Sequence, residues 1–534
     1  MRPKRYLILP MEGIRLSDVA ASETLMARKL LSTLQLTPIL VKATNRLGTD
    51  LQQTVFKASA IIQKHVGGKK SLLEPAITVI KSLHEDGVKL VAASEEVLTA
   101  LRLNHPGIRV IEEKFCTRAL APKVVVPPRP TKPATTHATH ASVSALSTVV
   151  VEVVRGDTLK PVRGADVIAF RTDTDAIEKK TGTSGKATFK FTTAAPKLKY
   201  LYVYHEEPGV WGYFKTNVIV SGGKVKVVLA KLDLAETDAL RHFHSPDGLT
   251  DGTGVRVGVI DSGADLDHPD LVAAIEGGAN CVPGSARAEN DFGPDGAHGT
   301  HVAGTIAASG TAPTGVRGIA PGVKLRIYRV FEDGNEGSGS SFAVIDAIDR
   351  AITDQCDIIN LSLGFEPGVT DDGISDALTK ARNHGILAVA AAGNDGRLPV
   401  GFPGSDANCV AVSAIGRKGL FPNTSTDMAE VASPFGNDPM DFVAGFSNVG
   451  SDLDAAGSGV GVVSTFPGGY GPMSGTSMAS PSVAGVAARL LSANPAILAM
   501  PRNADRSDAI RKLLMDACNS LGFGILFEGA GLAK

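Results

Sequence analysis

Four residues in the C-terminal half are of types that, brought together, would do acyl-transfer chemistry: Asp261, His298, Asn394 and Ser477. Asp261 ends the apolar run VRVGVI, and His298 opens the small-residue stretch HGTHVAGTIAAS. Asn394 follows ILAVAAAG, and Ser477 lies in SGTSMASPSVAG, residues 474–485. Each alone has a structural explanation as a helix cap, a turn former or a satisfied histidine. Together they fill four distinct roles. A serine hydroxyl is a weak nucleophile at neutral pH and needs a base, and imidazole, with an ordinary pKa of about 6.5, is suited to the task. A carboxylate then fixes the imidazole tautomer and stabilises the imidazolium, while backbone and amide donors stabilise the tetrahedral oxyanion. Ser477 is the candidate nucleophile, His298 the base, Asp261 its orienting carboxylate and Asn394 an oxyanion donor.

The elements around these residues suit that task. From about residue 238 to 534, continuous apolar runs such as VRVGVID and DIINLSL alternate with helical patterns such as SFAVIDAIDRAITD and SDALTKARNHG. Strands buried on both faces and alternating with helices predict a parallel sheet in an α/β domain. In such sheets the loops beyond the strands' carboxyl ends converge on a crevice, and the four candidates sit at strand ends or helix starts. Residues 475–479 read Gly-Thr-Ser-Met-Ala, which is not the G-x-S-x-G elbow of α/β-hydrolases.

The segments VGVIDSGADLDHPDL, HGTHVAGTIA, DIINLSLG, AAGN and GTSMASPSVAGVAA, in this order, resemble the signature segments of the subtilisin-like serine peptidases, the subtilase family. The chain order Asp, His, Ser is that family's order. The resemblance implies an Asp261-His298-Ser477 triad, with Asn394 and the Ser477 N–H as oxyanion donors. It also implies that an extended substrate adds as a strand between Gly337-Ser338-Gly339-Ser340 and Ser362-Leu363-Gly364. Gly401 would leave room for a large apolar side chain before the cleaved bond, with Asp395 widening the preference toward basic ones. Asp270 matches a position that ligates structural calcium in some members, although the loop ASGTAPTGVRG lacks the Asn-rich character of that site. No cofactor is required for the chemistry.

Upstream, residues 1–120 alternate short apolar runs with helical patterns, and VKLVAASEEVLTALRLNHPGIRVIEEKF reads as strand, helix, strand. That stretch resembles the second half of a subtilase propeptide, which implies a precursor inhibited by its own N-terminal domain and cleaved somewhere from Lys114 through the linker. Residues 121–147 are a linker rich in Pro, Thr and Ala, and its His137-x-x-His140 pair has no third ligand nearby. Residues 148–232 hold short β-type runs with turn signals between them, predicting an all-β sandwich that resembles the carboxypeptidase-regulatory-like family. Trp211 and Tyr213 there read as core or structural aromatics rather than as a binding face. The expected class is therefore α/β, a three-layer subtilisin-like domain (238–534) with a mainly parallel sheet, preceded by a small α/β propeptide-like domain and an all-β sandwich.

Composition narrows the partners. The 534 residues carry a formal net charge of −1, with 43% hydrophobic and 20% charged residues, so no basic patch points to nucleic acid or an anionic membrane. No run of about 18 apolar residues spans a bilayer, and the N-terminus lacks the core of a standard secretion signal. The compartment stays open between cytoplasmic and export by another route. The five cysteines are scattered and form no C-x-x-C pair. The expected function is a serine endopeptidase acting on proteins or peptides. A peptide ligase or macrocyclase using the same triad, and a catalytically silent binding protein acting through the sandwich, are the alternatives; the intact triad counts against the silent one.

Overall fold

The computed structural model describes residues 4–10, 77–84, 87–95, 98–99, 102, 108–124, 147–191, 195–244, 251–334 and 337–534. His137 and His140, most of the linker and residues 11–76 lie outside them. The first strands, β1 (Arg5–Pro10), β2 (Ile77–Ser82), β3 (Lys89–Ala93) and β4 (Ile108–Glu112), form an antiparallel sheet in the order β2-β3-β1-β4. Alternation along β1 sends Tyr6 and Ile8 into one apolar cluster with Val91, Leu98 and Val110, and Leu7 and Leu9 into another. A short strand β5 (Phe115–Arg118) follows β4 and leaves this sheet.

Residues 147–229 fold into two sheets. One contains β6 (Ser147–Arg155), β9 (Lys186–Phe191) and β12 (Lys224–Leu229); the other contains β7 (Asp166–Thr172), β8 (Asp175–Lys180), β10 (Lys197–Tyr204) and β11 (Tyr213–Ile219). Their facing side chains, among them Val151, Val167, Phe189, Leu201 and Val227, share one buried core. Trp211 does not join it. It packs instead in the core of the C-terminal domain, its ring 3.4 Å from where a Cβ on Gly461 would stand. Backbone bonds from Gly209 N–H to Tyr470 O (2.8 Å) and from Phe214 N–H to Thr424 O (2.7 Å) fasten the sandwich to that domain.

The C-terminal domain is built on a parallel sheet whose central order is β14 (Ile275–Asn280), β15 (Lys324–Arg329), β13 (Arg256–Asp261), β17 (Ile358–Leu361), β19 (Leu387–Ala391), β20 (Cys409–Arg417) and β22 (Ala455–Ser458). The antiparallel β21 (Asp441–Val443) hangs on β20. Two-residue strands β16 (Gly339–Ser340) and β18 (Leu363–Gly364) and a hairpin, β23 (Val462–Phe466) and β24 (Gly469–Met473), lie off the sheet.

The chain winds to one side of β13 through β15 and to the other through β17. That reversal opens a crevice at the carboxyl end of β13. Helices α1 (His298–Ala307) and α4 (Thr476–Ser492) are buried almost all round, which is why they are written in Gly, Ala, Ser and Thr. A Cβ on Gly485 would come 2.6 Å from Ile319, and one on Gly304 2.1 Å from Thr465 Oγ1. Helices α2 (Ser341–Thr353), α3 (Asp372–Asn383) and α5 (Ala504–Asp516) are amphipathic and flank the sheet. Among the described residues, no helix is long and apolar enough to cross a membrane.

Candidate active site

Asp261 is the last residue of β13, and its carboxylate is fully buried. Its Oδ1 accepts from the Ser262 N–H (2.6 Å) and from His298 Nδ1 (2.8 Å). His298 is the first residue of α1, and the Ser262 hydroxyl oxygen accepts the next N–H, that of Gly299, at 3.1 Å. Gly299 is obligatory by space alone: a Cβ there would stand 2.1 Å from Gly263 O and 3.0 Å from Asp261 Oδ1. With Nδ1–H given to Asp261, Nε2 is left as the ring's acceptor, and it is buried without a hydrogen-bond partner.

Ser477 is the second residue of α4, where the helix leaves its first N–H groups unpaired. Its hydroxyl donates to Ser362 O at 3.0 Å, so the serine–histidine hydrogen bond is not made in this conformer. Nucleophile and base often engage fully only once the reacting group is in place. The start of α4 is clamped from behind. Ser362 Oγ donates to Ser477 O (2.8 Å), accepts from Asn360 Nδ2 (2.8 Å) and meets Ser480 Oγ at 3.1 Å.

Asn394 lies just beyond β19, and its Oδ1 accepts both the N–H (2.9 Å) and the hydroxyl (3.0 Å) of Thr476. Those two donors define which end of the amide is oxygen and leave the Nδ2 group as a free-standing donor.

The crevice beside these residues is filled by the chain's own β5. It runs antiparallel between β16 and β18, with Cys116 opposite Gly339, Phe115 opposite Ser340, Arg118 opposite Leu363 and Thr117 opposite Gly364. Lys114 O accepts from Ser341 N–H at 2.8 Å, and Ala119 N–H reaches Ser362 O at 3.4 Å. Beyond β5, Ala119 O accepts the Ser477 N–H at 3.1 Å, and Ala121 N–H donates to Ser474 O at 2.9 Å. Gly475 presses against this same peptide unit: a Cβ there would lie 2.6 Å from Ala119 O and 3.1 Å from Ala121 N. The Ala119–Leu120 bond is therefore presented to Ser477 with its carbonyl already on a backbone donor.

Of the glycine-serine segment 337–340, Gly339 and Ser340 pair with β5, while Gly337 and Ser338 make the turn before them, where Gly337 N–H donates to Gly334 O and Glu332 N–H to Ser338 O. On the other wall Ser362, Leu363 and Gly364 all face β5. At Gly401 a Cβ would meet nothing nearer than Ala392 O at 3.6 Å, so the position is roomy. The Asp395 carboxylate is taken up by Asn448 Nδ2 at 2.8 Å.

Asp270 is spent on its own loop. Its Oδ2 accepts Val316 N–H at 2.9 Å, and its carboxylate lies against Gly310 and Gly315. Residues 308–318 bring no carboxylate to stand beside it, and among the described residues no group of three or more His, Cys, Asp or Glu is placed to hold a metal ion.

Three contributors escape the sequence reading. Asp295 meets Arg118 (3.2 Å), Asn448 holds Asp395, and Cys116 is sealed from solvent with its Sγ 3.2 Å from Gly339 O. Burial pushes the Cys116 thiol up to about 12, so it sits there neutral, as a small apolar side chain.

A parallel α/β sheet with a buried Asp–His pair at its crevice and a serine at the N-terminus of the central helix defines a subtilisin-like domain. The chain belongs to the subtilase family, whose profile (Peptidase_S8) matches residues 252–532. Subtilisin NAT of Bacillus subtilis subsp. natto is 41% identical over 249 residues, 46% of this chain and 57% of that protein's length. Subtilisin DY of Bacillus licheniformis is 36% identical over 287 residues, 53% of this chain and 89% of the relative. Subtilisin Savinase of Lederbergia lenta is 37% identical over 289 residues, 54% and 91% respectively.

Proposed function

We propose that this chain is a serine endopeptidase made as an autoinhibited precursor, whose first substrate is its own Ala119–Leu120 bond. The observation that carries this is the hydrogen bond from Ser477 N–H to Ala119 O, with β5 threaded as an extra strand between β16 and β18. In this reading the Ser477 hydroxyl turns from Ser362 O toward the unpartnered His298 Nε2, gives up its proton there and attacks the Ala119 carbonyl carbon. The oxyanion that forms is held by the Ser477 N–H and by Asn394 Nδ2. Asp261 keeps His298 in the right tautomer and stabilises it once protonated. His298 then protonates the Leu120 nitrogen as the bond breaks, leaving residues 1–119 as an acyl-enzyme on Ser477, which water resolves by the same steps.

Residues 1–119, an intramolecular inhibitor before the cut, stay in the cleft after it, and the sandwich, resembling a carboxypeptidase-regulatory-like module, stays with the peptidase. Substrates are extended protein or peptide segments, since the recognition is main-chain pairing that tolerates many sequences. Room at Gly401 supports acceptance of side chains larger than alanine before the bond.

Intact mass spectrometry of the purified chain tests this. The wild type should yield fragments 1–119 and 120–534, and Ser477→Ala should remain whole. A wild type that stays intact, or a Ser477→Ala chain cut at the same bond, overturns the proposal.

A further inference from the structure

After Ala121 the chain passes to the sandwich. Pro122 and Lys123 are exposed, but Lys123 Nζ pairs with Asp166, and Val124 N–H donates to Tyr204 Oη at 3.2 Å. Asp166 and Tyr204 stand opposite each other in the β7–β10 register, so their side chains emerge on one face. That face is the one turned away from the sandwich core. It carries an apolar cluster of Ile168, Phe170, Ala176 and Tyr202, and Val124 packs against it. The Lys123 ammonium also stands 6.0 Å from the Tyr204 ring centroid, within cation–π range. Leu120 and Ala121 meanwhile pack on the peptidase core, so the five residues after the Ala119 carbonyl pass continuously from one domain to the other.

We infer that the sandwich is part of the substrate-binding cleft. Asp166 and Tyr204 form a subsite for the fourth and fifth residues beyond the cleaved bond. Its ligand is a peptide segment with a lysine or arginine at the fourth position and a free backbone N–H at the fifth. The sandwich is fastened beside the cleft at its other edge too, through Gly209 N–H to Tyr470 O, Phe214 N–H to Thr424 O and the Trp211 ring against Gly461. Asp166 is suited to a basic partner because its carboxylate is nearly buried at the rim. Its pKa is lowered, with burial opposing and the Lys123 and Lys180 ammonium groups more than offsetting it. After self-cleavage the new N-terminal tail, 120–124, is the first occupant of this subsite.

The inference rests on the peptidase reading, and its test separates the two. The processed enzyme, separated from fragment 1–119, carries Lys123→Ala and Val124→Pro, which strip both anchors from its own tail. It is assayed on three peptides: residues 115–121, residues 115–124, and the longer one with glutamate in place of its lysine. The lysine decapeptide should be cleaved with a kcat/KM about tenfold above the glutamate one, as expected of a partly buried charge-assisted contact, with the difference in KM rather than kcat. Adding Asp166→Asn should collapse that ratio toward one. Equal cleavage of the two decapeptides, or a ratio unmoved by Asp166→Asn, overturns the subsite while leaving the peptidase intact. No cleavage of any of the three overturns the peptidase reading and this inference with it.

Discussion

Arg118, the residue before Ala119, is held more specifically than main-chain pairing requires. One guanidinium nitrogen lies 3.2 Å from Asp295 Oδ2 and 3.3 Å from Gly334 O, and the guanidinium carbon stands 5.6 Å from the Phe331 ring centroid. Both members of the ion pair are largely withdrawn from solvent, which lifts the pair above the near-zero worth of an exposed one. Asp295 Oδ1 separately accepts the Gly334 N–H at 3.2 Å, a bond that an asparagine keeps. Asp295→Asn therefore removes charge without unmaking the loop. Peptides with arginine in this position should be cleaved about tenfold better than their glutamate counterparts, equivalent to ~1.4 kcal/mol, and Asp295→Asn should erase most of that preference. Measuring kcat/KM for the two peptides with both enzymes decides it; a wild type indifferent to the charge sinks the idea. Asp295 is only three residues before His298, but nothing in the sequence pairs it with Arg118, a partner 177 positions upstream.

The elements divide by how local their causes are. β13, β17, β19 and α4 were legible because each is a long apolar run with its chemistry-bearing residue at one end. β8 was not: DAIEKK is largely charged, and it is a strand because it lies along the edge of its sheet with one face in water. β5 was illegible for a different reason. FCTR has no pattern of its own, and its partners are two-residue strands more than two hundred residues away. The short helical turn Thr426–Glu430, where β10 and β11 of the sandwich meet the peptidase, shows a similar non-local effect. Burial, reinforced by the neighbouring Asp427 carboxylate, pushes Glu430 up to about 7, and burial raises Asp427 as well. Between its ordinary value of about 4.5 and about 7 the folded chain keeps a proton that the unfolded chain has released, so stability falls as pH rises through that window. In a Ser477→Ala background, which prevents self-digestion, Glu430→Gln should match its parent in Tm near pH 4. At pH 8 it should melt higher than the parent, by the equivalent of about 1–2 kcal/mol of unfolding free energy, the size being reduced because Glu430 is only partly buried. Parallel Tm profiles across that range would remove Glu430 from the account.

At the scale of the whole molecule, three units converge on one cleft. The sandwich borders it beyond the bond, the parallel domain supplies the floor, and the N-terminal sheet closes it from before the bond. That sheet is fastened by burial rather than by the covalent link alone. Leu7, Leu9 and Leu90 are at most 2% exposed and share a core with Phe342, Ile345 and Leu378 of α2 and α3. Lys81 adds an ion pair to Asp346 at 2.7 Å, and Arg109 one to Asp376. Each leucine withdrawn from water contributes about 1.5–3 kcal/mol, so three of them would hold the sheet in place through a cut at the proposed Ala119–Leu120 bond. Self-cleavage should therefore yield a nicked, still inhibited complex, with fragment 1–119 travelling with 120–534 on gel filtration. Leu9→Ala removes about 2–5 kcal/mol from the contact and should release the fragment and shorten the lag before peptide hydrolysis begins. Leu9 and Ile345 both reach Gly373, their terminal methyls 3.0 and 2.8 Å from the position of its absent Cβ. Ile345→Ala thus weakens the same contact from the opposite side, and agreement between the two variants distinguishes a loosened interface from a sheet that has unfolded. A fragment that stays bound in both variants as firmly as in the wild type would mean that β5 in the cleft, and not the leucine face, is what holds the N-terminal unit.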